Sequence, residues 1–77
     1  MKIRLEHVAM LKVQGPANGS ELELMDGATV RDLLNQLAIP AIHQSSVTAF
    51  VNETKVRHDH VLVQGDHVFL SIPTSGG

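Results

Sequence analysis

The chain ends in two glycines, Gly76 and Gly77, and the carboxylate they carry is the group best suited to chemical activation. Glycine loses more conformational freedom on folding than any other residue, so a glycine pair is a poor last element for a packed fold. With glycine at about 7% of residues, a terminal pair arises by chance in roughly one of 200 chains. Because glycine has no side chain, the pair can enter a narrow channel in another protein.

The remaining residues offer few alternatives for catalysis or metal binding. The chain has no cysteine, which excludes a disulfide framework, a thiolate nucleophile and a Cys-ligated zinc site. No Ser-His-Asp set, carboxylate pair or glycine-rich phosphate loop stands out. His58 and His60 have the spacing of a metal pair, but two histidines without a third ligand make a poor site. We therefore expect an exposed loop there, no metal, and no active site in the chain itself.

Composition limits the class of protein. A chain of 77 residues is one domain at most, and its two Phe, without Tyr or Trp, leave aliphatic residues to fill the core. The net charge of −2 argues against a nucleic-acid surface. No apolar run is long enough to cross a membrane, and the N-terminal segment lacks the apolar stretch of a signal peptide. We expect a cytoplasmic protein with no nucleic-acid or membrane partner.

Two strands are predicted before the first helix. The segment "KIRLEHV", residues 2–8, alternates between polar and apolar side chains, with Ile3 and Leu5 on one face. Residues 14–20 are rich in Gly, Pro, Asn and Ser, which is typical of a loop. Alternation resumes in "ELELM", residues 21–25. We expect these two strands to pair as a hairpin.

The clearest predicted element is an amphipathic helix. Thr29 is placed to cap its start, with Asp32 three residues later as the capping-box partner. Apolar residues then recur with the helical period and form one face; they are Val30, Leu33, Leu34, Leu37 and Ala38. We expect Pro40 to end the helix, because the residue before a proline avoids the α region.

Three strands are predicted after the helix. A connector at residues 41–46 leads to a third strand at 47–52 and a turn at 52–55. A short strand and a Gly-Asp turn, in which Asp66 is interpreted as a turn residue, precede the last strand. The inner face of that last strand is predicted to consist of Val68, Leu70 and Ile72, and its outer face of His67, Phe69 and Ser71.

Phe50 and Phe69, the only aromatic residues, are both predicted to point away from the helix. The order of elements resembles the β-grasp fold, in which the third and last strands are neighbours, and this resemblance implies that the two rings lie side by side. An exposed aromatic pair favours a surface that binds a partner, which we assign to Phe50, His67, Phe69 and Ser71. The alternative is a strand phase that is wrong by one residue, which would place the rings in the core.

The order strand, strand, helix, strand, short strand, strand resembles the β-grasp fold of ubiquitin. It predicts an α+β domain: a mixed sheet of four to five strands with one main helix on one face. "DGATVRDLLNQL" at 26–37 is similar to the strand-to-helix segment of the ThiS/MoaD sulfur carriers. "FVNETKV" at 50–56 is similar to their Val-Asn turn. "VQGDHVFLSIPTSGG" at 63–77 is similar to their Gly-Asp strand and Gly-Gly tail.

This resemblance implies a carrier protein rather than an enzyme. An E1-like adenylyltransferase that uses ATP would adenylate the carboxylate of Gly77, and a sulfur donor would convert the adenylate to a thiocarboxylate. The carrier would then deliver its sulfur to an acceptor synthase, in which the carrier is the small subunit and the acceptor enzyme is the large subunit. The chain would divide into a β-grasp domain at 1–72 and a flexible tail at 73–77, made of Pro73, Thr74, Ser75, Gly76 and Gly77. It would bind no cofactor.

Several functions share this tail. The segment at 27–37 and the proline in the tail are more similar to the small subunit of molybdopterin synthase than to other family members. The tail has one proline where many such subunits have two, and Ser71 stands where an aromatic residue is common. A carrier for the thiazole of thiamine is the main alternative, and carriers for tRNA thiolation or cysteine synthesis remain open. A ubiquitin-like modifier of lysines and a regulatory domain with an idle tail are alternatives of other classes.

Overall fold

The computed structural model describes residues 1–8, 11, 13 and 17–72, which form one five-stranded sheet and two helices. The elements are β1 (Lys2–His7), β2 (Glu21–Glu23), α1 (Val30–Gln36), α2 (Ala41–Gln44), β3 (Thr48–Val51), β4 (Thr54–Val56) and β5 (His67–Ser71). Within these described ranges, no helix is long and apolar enough to cross a membrane.

The sheet is mixed, with the strand order β2-β1-β5-β3-β4. β1 pairs with β2 as the predicted antiparallel hairpin, while β1 and β5 run parallel at the centre. β3 is antiparallel to both of its neighbours, β5 and β4. This is the α+β β-grasp architecture that the sequence predicts, and it makes β5 the central strand that leads into the tail.

One aliphatic core lies between the sheet and α1. Alternation along β1, β3 and β5 sends every second side chain to this side, and the predicted inward residues are buried there, except that Ile72, which follows β5, is half-buried. Both phenylalanines lie outside it. The core consists of Ile3, Leu5, Leu11, Leu24, Ala28, Val30, Leu33, Leu34, Leu37, Ile39, Val47, Ala49, Val51, Leu62, Val68 and Leu70.

The start of α1 carries the predicted capping box. The Thr29 hydroxyl accepts a hydrogen bond from the Asp32 amide at 3.2 Å, and the Asp32 carboxylate accepts one from the Thr29 amide at 2.9 Å. Two of the four amides that a helix leaves unpaired at its start are bound by neighbouring main chain instead. The amides of Val30 and Arg31 donate to the carbonyls of His60 and His58 at 3.0 and 2.9 Å.

His58 differs from the exposed loop residue that the sequence suggests. Its side chain is half-buried, and Nε2 lies 2.7 Å from the carbonyl oxygen of Val47. The cause is the return of the chain after β4, which brings this segment against both the start of β3 and the start of α1. His60 is exposed, as expected.

α1 ends at Gln36, earlier than predicted, and Ala38 is exposed rather than part of the apolar face. The prediction that Pro40 ends the helix is therefore wrong. Ala38 has φ of 60°, a left-handed conformation that turns the chain out of the helix before the proline is reached. The connector predicted at 41–46 is also partly helical, since Ala41–Gln44 form α2 with Pro40 as its N-cap.

Hydrogen bonds at the end of α1 explain why the helix stops there. The amide of Ala38 donates to the carbonyl of Asn35 at 3.0 Å, and the amide of Ile39 donates to that of Leu34 at 3.2 Å. These two bonds form a Schellman motif, which normally places glycine in the left-handed position. Leu34 and Ile39 are both buried, so burial of apolar side chains holds the motif in place despite the alanine.

The turn after β3 is shorter than the predicted turn at 52–55. It contains only Asn52 and Glu53, with φ of 51° and 74°, and β4 begins at Thr54. Two positive φ values between antiparallel strands are characteristic of a tight two-residue hairpin. The observed strand β4 therefore overlaps the segment predicted as a turn.

Candidate functional site

The rings of Phe50 and Phe69 form a pair on the face of the sheet opposite α1. The two residues are directly paired between β3 and β5, and their ring centroids lie 6.2 Å apart with an interplanar angle of 47°. Phe69 is 37% exposed, and Phe50 is half-buried. The outward phase predicted from alternation is therefore present, and the rings do not lie in the core.

The other residues assigned to this surface lie on the same strand. His67 and Ser71 flank Phe69 on β5, with the His67 side chain exposed and Ser71 half-buried opposite Thr48 of β3. We call the surface formed by Phe50, His67, Phe69 and Ser71 the aromatic patch. All four residues that the sequence predicts to share a face are thus brought together on two adjacent strands.

Two charged residues that the sequence analysis did not assign border the aromatic patch. Glu6 on β1 is paired with Phe69, and its carboxylate oxygen contacts Nε2 of His67. Lys55 on β4 is paired with Phe50 and is exposed. Alternation along β1 is enough to predict that Glu6 faces outward. Its contact with His67 could not be predicted in this way, because the two residues are 61 positions apart in the sequence.

This arrangement is suited to binding rather than to bond making. Aromatic rings supply a large apolar contact area, and tilted pairs such as this one are mutually favourable. The contact between Glu6 and His67 is exposed, so it contributes little to stability but gives one side of the patch a polar rim. Lys55 provides a cation on the other side.

The strand that carries Phe69 is followed in the sequence by the predicted tail. β5 ends at Ser71, and the half-buried Ile72 is the last residue that the structure describes. The predicted reacting residue Gly77 and the other predicted tail residues lie outside the described residues; these are Pro73, Thr74, Ser75 and Gly76. In the sequence, only three residues separate Phe69 from the first residue of this predicted tail.

A metal centre is not seen in the part of the chain that the structure describes. Among residues 1–8, 11, 13 and 17–72, no three His, Asp or Glu side chains are grouped so that they could hold a metal ion. His58 and His60 instead contribute their carbonyls to the start of α1.

Comparison with known proteins gives the fold and the family. SAMP1 from Haloferax volcanii aligns over 100% of both chains with a TM-score of 0.72 and 23% identity. A protein from Pyrococcus furiosus assigned as molybdopterin converting factor subunit 1 has a TM-score of 0.72 and 25% identity, over 95% of this chain and 98% of that one. The ubiquitin of Caldiarchaeum subterraneum has a TM-score of 0.62 and 20% identity, over 100% and 98%.

A search of curated proteins finds no match. The model of the ThiS family, however, matches residues 11–77, which is nearly the whole chain and includes both terminal glycines. The resemblance seen in the three sequence motifs is thus confirmed. The chain belongs to the ThiS family of ubiquitin-like sulfur carriers.

Proposed function

We propose that this protein carries sulfur as a thiocarboxylate on Gly77. In the first step a carboxylate oxygen of Gly77 bonds to the α-phosphorus of ATP in an E1-like partner, and pyrophosphate leaves. In the second step a donor with sulfur at the oxidation level of sulfide forms a C–S bond to the carbonyl carbon of Gly77, the C–O bond to the phosphate breaks, and AMP leaves with that oxygen. The acceptor enzyme then takes the sulfur, and a water oxygen restores the carboxylate.

The family match through Gly77 is the observation that carries this proposal. The residue types support it. Gly76 and Gly77 leave the carboxylate unhindered, and the absence of cysteine is consistent with sulfur held on a carboxyl group rather than on a thiol. The chain would then be a protein cosubstrate, with ATP and the catalytic groups supplied by its partners.

The aromatic patch has a defined part in this proposal. The partner binds Phe50 and Phe69 on the open face of the sheet while the tail extends into its active site. The six residues from Ile72 to Gly77 span roughly 20 Å when extended, which is enough to reach a recessed nucleotide. The patch and the tail thus form two parts of one interface, and the acceptor synthase uses the same two parts.

Molybdopterin synthesis is the pathway we propose. The Pyrococcus furiosus relative is described as one subunit of a molybdopterin converting factor, and it shares 25% identity over almost the full length of both chains. By analogy the acceptor is a large subunit into which Gly77 enters. Complementation tests this choice: the gene should restore molybdoenzyme activity in a strain without its own small subunit. Restoration of thiamine synthesis alone would instead favour the thiazole pathway.

ATP–pyrophosphate exchange with the cognate E1-like enzyme tests the reacting residue. We expect exchange to be lost when Gly77 is deleted and also when one residue is added after it, because both changes displace the carboxylate. The described sheet ends at Ser71, so circular dichroism and melting temperature should be unchanged in both variants. Exchange that survives the deletion would show that Gly77 is not the activated residue.

A further inference from the structure

We propose that Asn52 and Asp66 are positioning residues that set the register between β3 and β5 and thereby assemble the aromatic patch. The inference rests on the proposed function in one respect, namely that the patch binds the partner. The two residues belong to the Val-Asn and Gly-Asp motifs, which are separate in sequence but are hydrogen-bonded to each other in the structure.

Asn52 replaces a missing main-chain partner of β5. The register ends with Val51 paired to Val68, so the next pair would be Asn52 with His67. The amide of Asn52 donates to the carbonyl of His67 at 2.8 Å, as in a regular ladder. The amide of His67, however, donates to the side-chain Oδ1 of Asn52 at 3.0 Å. The left-handed φ of Asn52 turns the chain into the tight turn, and the side chain takes the place of the carbonyl.

Asp66 holds Asn52 in this orientation. Asp66 is only 6% exposed, and its carboxylate accepts hydrogen bonds from Nδ2 of Asn52 at 3.0 Å and from the amide of Val63 at 2.9 Å. Its main-chain carbonyl accepts from the amide of Arg4 on β1 at 2.9 Å. A buried carboxylate is unfavourable unless it is hydrogen-bonded, so these contacts make one arrangement of β1, β3 and β5 strongly preferred.

The register that these contacts set decides which side chains reach the open face. Phe50 is two residues before Asn52, and Phe69 is three residues after Asp66. A shift of one residue in either strand would turn its ring toward the core and expose a core residue instead, either Ala49 or Val51 in β3 and either Val68 or Leu70 in β5. The hydrogen bonds between the two motifs therefore affect partner binding indirectly: they fix the positions of the two rings, and the rings contact the partner.

An exchange of the two side chains tests this role. Asn52→Asp alone places two carboxylates against each other. Asp66→Asn alone leaves one side-chain oxygen, which can accept a hydrogen bond from either Val63 or Asn52. The new NH2 group then faces the other donor, and that hydrogen bond is lost. In the double variant Asn52→Asp/Asp66→Asn, every hydrogen bond can form again with one donor direction reversed, and the net charge is unchanged. The double variant is therefore the matched control for both single variants.

Two readouts are needed for each variant. Nuclear Overhauser contacts between the Phe50 and Phe69 rings report the register directly, and the Kd for the E1-like enzyme reports the surface. If a single exchange leaves about a tenth of the molecules in the binding-competent arrangement, affinity falls by about tenfold. Thr29→Ala, which removes the cap of α1, supplies a destabilised control that should keep both the ring contacts and the affinity.

The expected result is loss of ring contacts and of affinity in both single variants, with recovery of both in the double variant. Ring contacts that persist in the single variants, or that fail to return in the double variant, would overturn the positioning role. Whether the aromatic patch binds the partner at all is tested separately, by measuring the binding of the unaltered protein to the E1-like enzyme. If that protein does not bind the E1-like enzyme, the proposed function fails, while the ring contacts still decide whether Asn52 and Asp66 set the register.

Discussion

Phe50 and Phe69 lie opposite each other on adjacent strands, with ring centroids 6.2 Å apart, on the face of the sheet that α1 leaves open. An aromatic pair of this kind contributes about 0.5–1.5 kcal/mol to stability. Its larger potential is in binding, since buried aromatic residues are frequent hot spots of protein interfaces. A substitution in this pair should therefore change the affinity for a partner much more than the stability of the domain.

We expect Phe69→Ala to weaken binding to the E1-like partner by roughly thirtyfold. An interface hot spot contributes about 2 kcal/mol or more, and about 1.4 kcal/mol corresponds to a factor of ten in Kd. The melting temperature of the isolated domain should fall by no more than about 10 °C, because the ring is outside the core and loss of the aromatic pair costs at most about 1.5 kcal/mol. Titration calorimetry with the partner gives the affinity.

Ile42→Ala is the matched control for that experiment. Ile42 is also a large apolar residue, 80% exposed, but it lies on α2 rather than on the sheet. It should leave the affinity unchanged. A large drop in melting temperature with unaltered affinity for Phe69→Ala would contradict the account and remove the aromatic patch from the partner interface.

Leu33→Ala and Leu37→Ala should each reduce the free energy of unfolding by about 2–5 kcal/mol. Both side chains are fully buried between α1 and the sheet, so truncation leaves a cavity as well as losing apolar contact. Denaturant titration measures the loss, and Arg31→Ala on the exposed side of the same helix should cost at most about 0.5 kcal/mol. A cost below about 1 kcal/mol at either leucine would mean that its site collapses around the cavity.

Two non-glycine residues in left-handed conformations offer a stabilising change. Ala38 ends α1 with φ of 60°, and Glu53 occupies the hairpin turn with φ of 74°. We expect Ala38→Gly and Glu53→Gly each to raise the free energy of unfolding by up to about 1 kcal/mol, because glycine relieves the strain. Ala41→Gly, in the first turn of α2, should lower it instead. Loss of stability in both of the first two variants would show that the left-handed conformations carry no strain.

The parts of the fold that the sequence predicts are those governed by local chemistry. Alternation identifies the inward residues of β1, β3 and β5, and the Thr29–Asp32 capping box marks the start of α1. The outward phase of Phe50 and Phe69 follows from the same alternation. These features depend on residues within a few positions of one another, so one sequence is enough to find them.

The features that sequence analysis missed depend on distant contacts. α1 ends early because Leu34 and Ile39 are both buried, which sets a Schellman motif at an alanine. Asp66 has the sequence context of a turn residue, yet its burial and its bond to Asn52 arise only when β3 meets β5. The contact between Glu6 and His67 likewise requires the parallel pairing of the first and last strands.

The mass of the protein purified from its own cells tests the central claim most directly. We expect a fraction of molecules to be heavier by the difference between one sulfur and one oxygen atom, with fragmentation placing the added mass on the C-terminal glycine. Alkylation of the thiocarboxylate should shift that same fragment and no other. A chain that remains unmodified while its E1-like enzyme and sulfur donor are active, or that is recovered with Gly77 in isopeptide linkage to lysines of other proteins, would contradict the sulfur-carrier account.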